Sequence, residues 1–187
     1  MNQHTAPQTK GVAVYCASSS DIDSIYLDTA REMGRLLAEA RLPLVCGGGA
    51  GGMMAAAIEG AVAAGGEAVG VLPHFMMEKG WNHPRLTCCI DTESMHHRKH
   101  TMASMARAAV ALPGGIGTLD ELAEIMTWNQ LGLFTGPVII VNTAGFYDHL
   151  TALFESMRAK EFMRGGHIPA TVVATPAEAM EIINPSR

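Results

Sequence analysis

No stretch of this sequence approaches the roughly 20 consecutive apolar residues that a membrane-spanning helix needs, which argues against a membrane-embedded role. Residues 1–10 are polar and lack the apolar core of a secretory leader, so a flexible tail is expected there and one domain over 11–187. Cysteine is scarce: Cys16, Cys46, Cys88 and Cys89 form no CxxC pair. The expectation is buried thiols in a reducing, cytoplasmic compartment. Basic residues are also in deficit, 13 Lys and Arg against 18 Asp and Glu, for a net charge of -5. A reader of nucleic acid phosphates needs the opposite balance, so no nucleic acid partner is expected. Charged residues reach only 17% against 48% apolar, which excludes a disordered chain.

What is present is an alternation of short apolar runs with longer amphipathic ones. Strands are predicted at 12–16, 42–46, 67–72, 86–90, 108–112, 137–141 and 171–174, most of them continuously apolar. Strands covered on both faces read this way. Helices are predicted at 24–40, 52–64, 94–106, 118–131, 147–160 and 176–183. This order predicts an α/β fold: a single Rossmann-like, doubly wound parallel sheet with helices on both faces. Ligands of such sheets bind beyond the carboxyl ends of the strands, which nominates the loops after Cys16, Cys46, Leu72, Ile90 and Leu112.

Two of those loops are glycine-rich. The first contains Gly47-x-Gly49-x-x-Gly52, which formally fits a dinucleotide fingerprint. It follows the second strand, however, and Glu67 begins the next strand where a ribose-binding acid should close it, so an NAD site is not expected. A tight turn and a phosphate or ribose contact, with Gly48 as candidate, both remain open for this loop. The second loop runs Pro113-Gly114-Gly115-Ile116-Gly117-Thr118 before Leu119-Asp120-Glu121. Thr118 suits an N-cap and Glu121 the reciprocal position of a capping box. Capping does not require three glycines, whereas a loop wrapped on a phosphate at a helix start does use them.

Between the fourth and fifth strands, Met95-His96-His97-Arg98-Lys99-His100 gathers cations in an otherwise acidic chain. Met95, Met102 and Met105 recur at helical spacing and predict the packed face, with Arg98 at its edge. A guanidinium there could bind phosphate or carboxylate bidentately. His96 and His100 have i, i+4 spacing compatible with a metal, but no HExxH acid and no third ligand accompanies them, so no metal is expected. Packing or substrate contact is the expected role of these histidines.

Together, Met95-His96-x-Arg98-Lys99, Pro113-Gly114-Gly115-x-Gly117-Thr118-x-x-Glu121 and Thr127-Trp128-x-Gln130-Leu131-Gly132 resemble the "Lonely guy" (LOG) family. These are cytokinin riboside 5′-monophosphate phosphoribohydrolases, often mislabelled lysine decarboxylases. The likeness extends to Cys16-x-Ser18-Ser19, to the 47–54 loop and to Gly70-Val71-Leu72-Pro73. It implies hydrolysis of the N-glycosidic bond of an N6-substituted adenosine 5′-monophosphate, with Arg98 and Glu121 catalytic. It further implies phosphate and ribose contacts from Ser18, Lys99, Gly114, Gly115, Ile116, Gly117, Thr118, Leu119, Asp120 and Thr127. No cofactor is implied, and the expected partners are a nucleoside monophosphate and further copies of the chain, as a homodimer or larger homo-oligomer. Gly80 stands where relatives often hold a glutamate, and Trp81-Asn82-His83-Pro84 is unusual, so the base pocket is expected to be reshaped.

A carboxylate beside the sugar can stabilise an oxocarbenium-like transition state or deprotonate water, the role expected of Glu121, with Asp120 and Glu124 as competitors. Two rivals stand beside this reading. A PLP enzyme needs a Schiff-base lysine, and the four lysines, Lys10, Lys79, Lys99 and Lys160, lack a recognisable PLP context. A non-catalytic carrier of a nucleotide or phosphorylated cofactor would use the same glycine loops, as some relatives of the LOG family do.

Overall fold

The computed structural model describes residues 10–184, so most of the expected tail lies outside the described residues. Within them the chain alternates strand and helix: β1 Gly11–Tyr15, α1 Ser24–Glu39, β2 Leu44–Cys46, α2 Gly52–Ala63, β3 Ala68–Pro73, α3 His74–Glu78 and β4 Cys88–Thr92. The second half continues with α4 Met95–Ser104, β5 Ala106–Ala111, α5 Ile116–Gln130, β6 Val138–Val141, α6 Asp148–Ala159, β7 Thr171–Val173 and α7 Pro176–Ile183. All seven strands pair in parallel in the order β4-β3-β2-β1-β5-β6-β7. The winding direction reverses between β1 and β5, and a crevice opens there beyond the strand ends.

Alternation along the strands explains the unbroken apolar runs. Val12 and Val14 of β1 pack with Met33, Leu37 and Ile58 on one face, while Ala13 and Tyr15 join Met102, Leu122 and Tyr147 on the other. Both faces are helix-covered, so no position on β1 remains for a polar residue. At α1, Asp23 accepts a hydrogen bond from the Ile25 N–H at 3.1 Å and fixes the helix start. Its buried residues Thr29, Ala30, Met33, Gly34 and Leu37 form the expected 3.6-period stripe. No described helix is long and apolar enough to cross a membrane.

Three local expectations fail. The five-residue α3 was not foreseen, because one turn after Pro73 is too short to show periodicity. Cys89 is exposed whereas Cys16, Cys46 and Cys88 are buried, because β4 is an edge strand whose outer face is open. Met95 is 39% exposed at the α4 terminus, whereas Met102 is buried and Met105 packs on the same core as expected, with Arg98 and Ala103 buried beside them.

Candidate active site

A cavity of about 650 Å³ lies beyond the carboxyl ends of β1, β2, β3 and β5. That volume suits a ligand of nucleotide size. β1 delivers Cys16, Ala17 and Ser18 to its wall; the β2 loop delivers Gly47, Gly49, Ala50 and Gly51. Leu72 at the end of β3, Met76 of α3 and the following Gly80 and Trp81 form another side. Arg98 of α4 and Gly115, Ile116, Gly117, Thr118 and Glu121 of α5 complete it.

The charged centre is Arg98 with Glu121. The arginine is buried, and its guanidinium is held from three sides. Nε–H donates to the Val71 carbonyl at 2.9 Å and Nη1 to Glu121 Oε1 at 3.3 Å. Nη2 lies against Gly47, where a Cβ would come within 2.0 Å of it. Only glycine at that position leaves room for the guanidinium. Glu121 is itself only 12% exposed. Burial drives its pKa upward; Arg98 pulls it down and Asp120 up, and the balance is a carboxyl pushed up to about 7. Such a group exchanges a proton near neutrality, a property concentrated at functional sites.

The start of α5 corrects one sequence reading. The helix begins at Ile116 with Gly115 as N-cap and no side-chain cap bond, so Thr118 is not the cap and Glu121 closes no capping box. The first turn carries no acid, contrary to the expectation that Asp120 and Glu121 would stand in it. Leu119 N–H to Gly115 O, at 3.1 Å, is the first bond of the helix. The N–H groups of Ile116, Gly117 and Thr118 therefore have no acceptor within the helix, and all three residues line the cavity. Free amides and the positive dipole end suit an anion.

Of the residues singled out from sequence, Ser18, Arg98, Gly115, Ile116, Gly117, Thr118 and Glu121 converge on this cavity. Six others do not line it. Gly48 adopts φ +72° and turns onto β3, where a Cβ would meet Leu72 Cδ1 at 2.4 Å. Gly114 packs against Thr118 Oγ1, and Leu119 faces the core. Lys99 Nζ pairs with Asp120 Oδ2 at 3.0 Å and Glu124 Oε1 at 3.3 Å. Burial acts to lower the lysine pKa, but those two hydrogen bonds outweigh it and the ammonium is held above its ordinary value. The same bonds occupy the two carboxylates that competed with Glu121. The Thr127 hydroxyl donates to Ala123 O at 2.8 Å on the outer face of α5.

Sequence reasoning passed over Met54 and Met76, both in the wall. The loop after Leu72 had been nominated by the switch-point rule, which was the available signal for Met76. His96 and His97 are exposed, and His100 meets Trp128 edge-on at 5.9 Å, so none lines the cavity. No three His, Cys, Asp or Glu side chains among the described residues gather as metal ligands. No lysine lines the cavity either, so its residues do not fit a Schiff-base cofactor.

Residues 54–183 match the family described as "Possible lysine decarboxylase". A "Probable cytokinin riboside 5'-monophosphate phosphoribohydrolase" of Oryza sativa subsp. japonica is 38% identical, over 90% of this chain and 74% of that protein. A "Cytokinin riboside 5'-monophosphate phosphoribohydrolase" of Arabidopsis thaliana is 35% identical, over 82% of this chain and 72% of that protein. Among solved structures, the molybdenum cofactor binding protein of Rippkaea orientalis shares the fold at TM-score 0.73 and 22% identity, covering 95% of this chain and 97% of that one. The Moco carrier protein of Chlamydomonas reinhardtii matches at TM-score 0.71 and 25% identity, covering 92% and 94%. With the family match spanning most of the chain and relatives at this identity over most of both lengths, the chain belongs to the LOG family.

Proposed function

We propose that this protein hydrolyses the N-glycosidic bond of an N6-substituted adenosine 5′-monophosphate, releasing the base and ribose 5-phosphate. The observation that carries the reading is the buried Arg98–Glu121 pair in a cavity that also holds the uncapped start of α5. The phosphate sits on the amides of Ile116, Gly117 and Thr118, and this remote binding energy fixes the ribose. As the C1′–N9 bond lengthens, positive charge grows on the sugar, and the Glu121 carboxylate stabilises it and takes a proton from the attacking water. The departing base accepts a proton, and the water oxygen ends on C1′. Arg98 keeps part of the Glu121 population ionised and holds its carboxylate in place.

Lys99, Asp120 and Thr127 lie outside the cavity of one chain. Asp120, Glu124, Thr127 and the half-exposed Leu131 instead form an outward stripe at helical spacing along α5. We propose that two copies pack through this stripe as a homodimer, with Thr127 of one reaching the substrate of the other. Sedimentation of the wild type as a dimer, and of Leu131→Asp as a monomer, is expected; a monomeric wild type contradicts it.

The carrier reading has one support, the shared fold with the molybdenum cofactor binding protein of Rippkaea orientalis and the Moco carrier protein of Chlamydomonas reinhardtii. The two readings separate on incubation with AMP and with N6-isopentenyladenosine monophosphate, with free base and ribose 5-phosphate measured. Release of both products supports the hydrolase; binding of both nucleotides without cleavage supports the carrier.

A further inference from the structure

The glycines of the 47–52 loop have no side chains with which to hold that loop, yet it forms one wall of the cavity. Its position is imposed from outside. Gly48 is packed on β3, and the Gly52 N–H donates to Ser20 Oγ at 3.0 Å. The remaining restraint comes from the segment between α3 and β4. The Ala50 N–H donates to the Trp81 carbonyl at 2.9 Å, the His83 N–H donates to the Gly48 carbonyl at 2.8 Å, and Gly49 bridges Asn82 in antiparallel fashion. Residues 81–83 therefore lie along the glycine loop as a short strap.

The strap is anchored by a buried imidazole. His83 is only 6% exposed, and its Nδ1 accepts the Arg85 N–H at 3.2 Å. An accepting Nδ1 leaves the ring proton on Nε2, which faces Glu59 Oε1 of α2 at 3.8 Å. The ring thus ties the strap both to its own next turn and to the helix that the glycine loop begins. The one hydrogen bond of this buried ring, from the Arg85 N–H to Nδ1, is lost if the ring rotates, while the 3.8 Å approach of Glu59 to Nε2 is an electrostatic contact only.

We propose that His83 is a positioning residue for the active site, acting through the strap and the glycine loop on Arg98. The last link is the contact of Arg98 Nη2 with Gly47: a loop that moves away removes one of the three walls that aim the guanidinium at Glu121. Displacements of about 1 Å are enough to cost large factors in rate.

The test separates the acceptor from bulk packing. In Asn, the side-chain oxygen falls near the place of Nδ1 and keeps an acceptor for the Arg85 N–H; in Gln the amide extends toward Nε2. Hydrogen–deuterium exchange across residues 47–52 is expected to be unchanged in His83→Asn and faster by about ten-fold in His83→Gln. This arm is independent of the proposed reaction. Where the hydrolase activity is present, His83→Gln is expected to lower kcat for AMP about ten-fold while KM changes by less than about three-fold, and His83→Asn to restore kcat to within about three-fold. Equal exchange in wild type and both variants overturns the proposal, as does a loss of activity in Gln that Asn fails to rescue. Exchange that responds as expected in a protein that cleaves no nucleotide leaves the strap standing and removes the hydrolase.

Discussion

Glu121 illustrates what a single position can and cannot disclose. Its residue type and spacing from the glycines were legible, but they fitted a capping box as well as a catalytic carboxylate. The structure separates the two, since Gly115 is the cap and Glu121 meets Arg98 at 3.3 Å. Two consequences follow from its pKa near 7. The reaction needs the ionised form, so kcat/KM is expected to fall as pH drops through about 7. Arg98 lowers the Glu121 pKa, so Arg98→Met is expected to move that acidic limb to higher pH as well as to slow the reaction. A pH–rate profile of both proteins checks the shift. For stability, a carboxyl whose folded pKa is raised contributes below its ordinary pKa near 4.5, and that contribution is lost as pH rises through about 7. Glu121→Gln is therefore expected to gain roughly 1–3 kcal/mol over the wild type between pH 5 and pH 8, measured by urea unfolding at each pH.

Among the elements, the long ones were readable because periodicity needs length. All seven strands and six helices fall near their predicted places, and the parallel, doubly wound sheet follows from their order. The unread α-helix is α3, whose five residues show no period, yet Met76 on it and Trp81 just after it line the cavity. The two glycine loops were legible as ligand-proximal, but not their different duties. The 47–52 loop serves partly as a seat for Arg98, a role visible only once α4 is packed beside it. Gly47→Ala tests that role, because its Cβ would come within 2.0 Å of Arg98 Nη2 and 3.0 Å of Met54 Sδ. A loss of about 10²-fold in kcat/KM with a melting temperature changed by only a few degrees is the expected outcome. At the α5 start the opposite holds for Gly115 and Gly117, where no atom lies within 4 Å of an added Cβ. Alanine at Gly117 is expected to leave folding intact and weaken AMP binding, as read by calorimetry, if the new methyl enters the cavity where the phosphate is proposed to sit.

At the scale of the whole molecule, the charge pattern fits a small anionic ligand better than a polyanion. The chain carries -5 overall, yet the one buried arginine among the described residues faces the cavity and is shared with a single carboxylate. The switch point between β1 and β5 collects residues from strands far apart in sequence, from Ser18 to Glu121, and this convergence is a property of topology that no local motif contains. Lys99 and Thr127, near in sequence to cavity residues, point elsewhere because each step along a helix turns the side chain by about 100°. Hydrolysis and carriage both fit this architecture, and they differ in what Glu121 does. The decisive comparison mixes stoichiometric N6-isopentenyladenosine monophosphate with the wild type and with Glu121→Gln, following nucleotide bound and base released in the same sample. The hydrolase account predicts base and ribose 5-phosphate in equal amounts from the wild type, and a Gln variant that binds the nucleotide and releases none; base released equally by both proteins, or by neither, contradicts it.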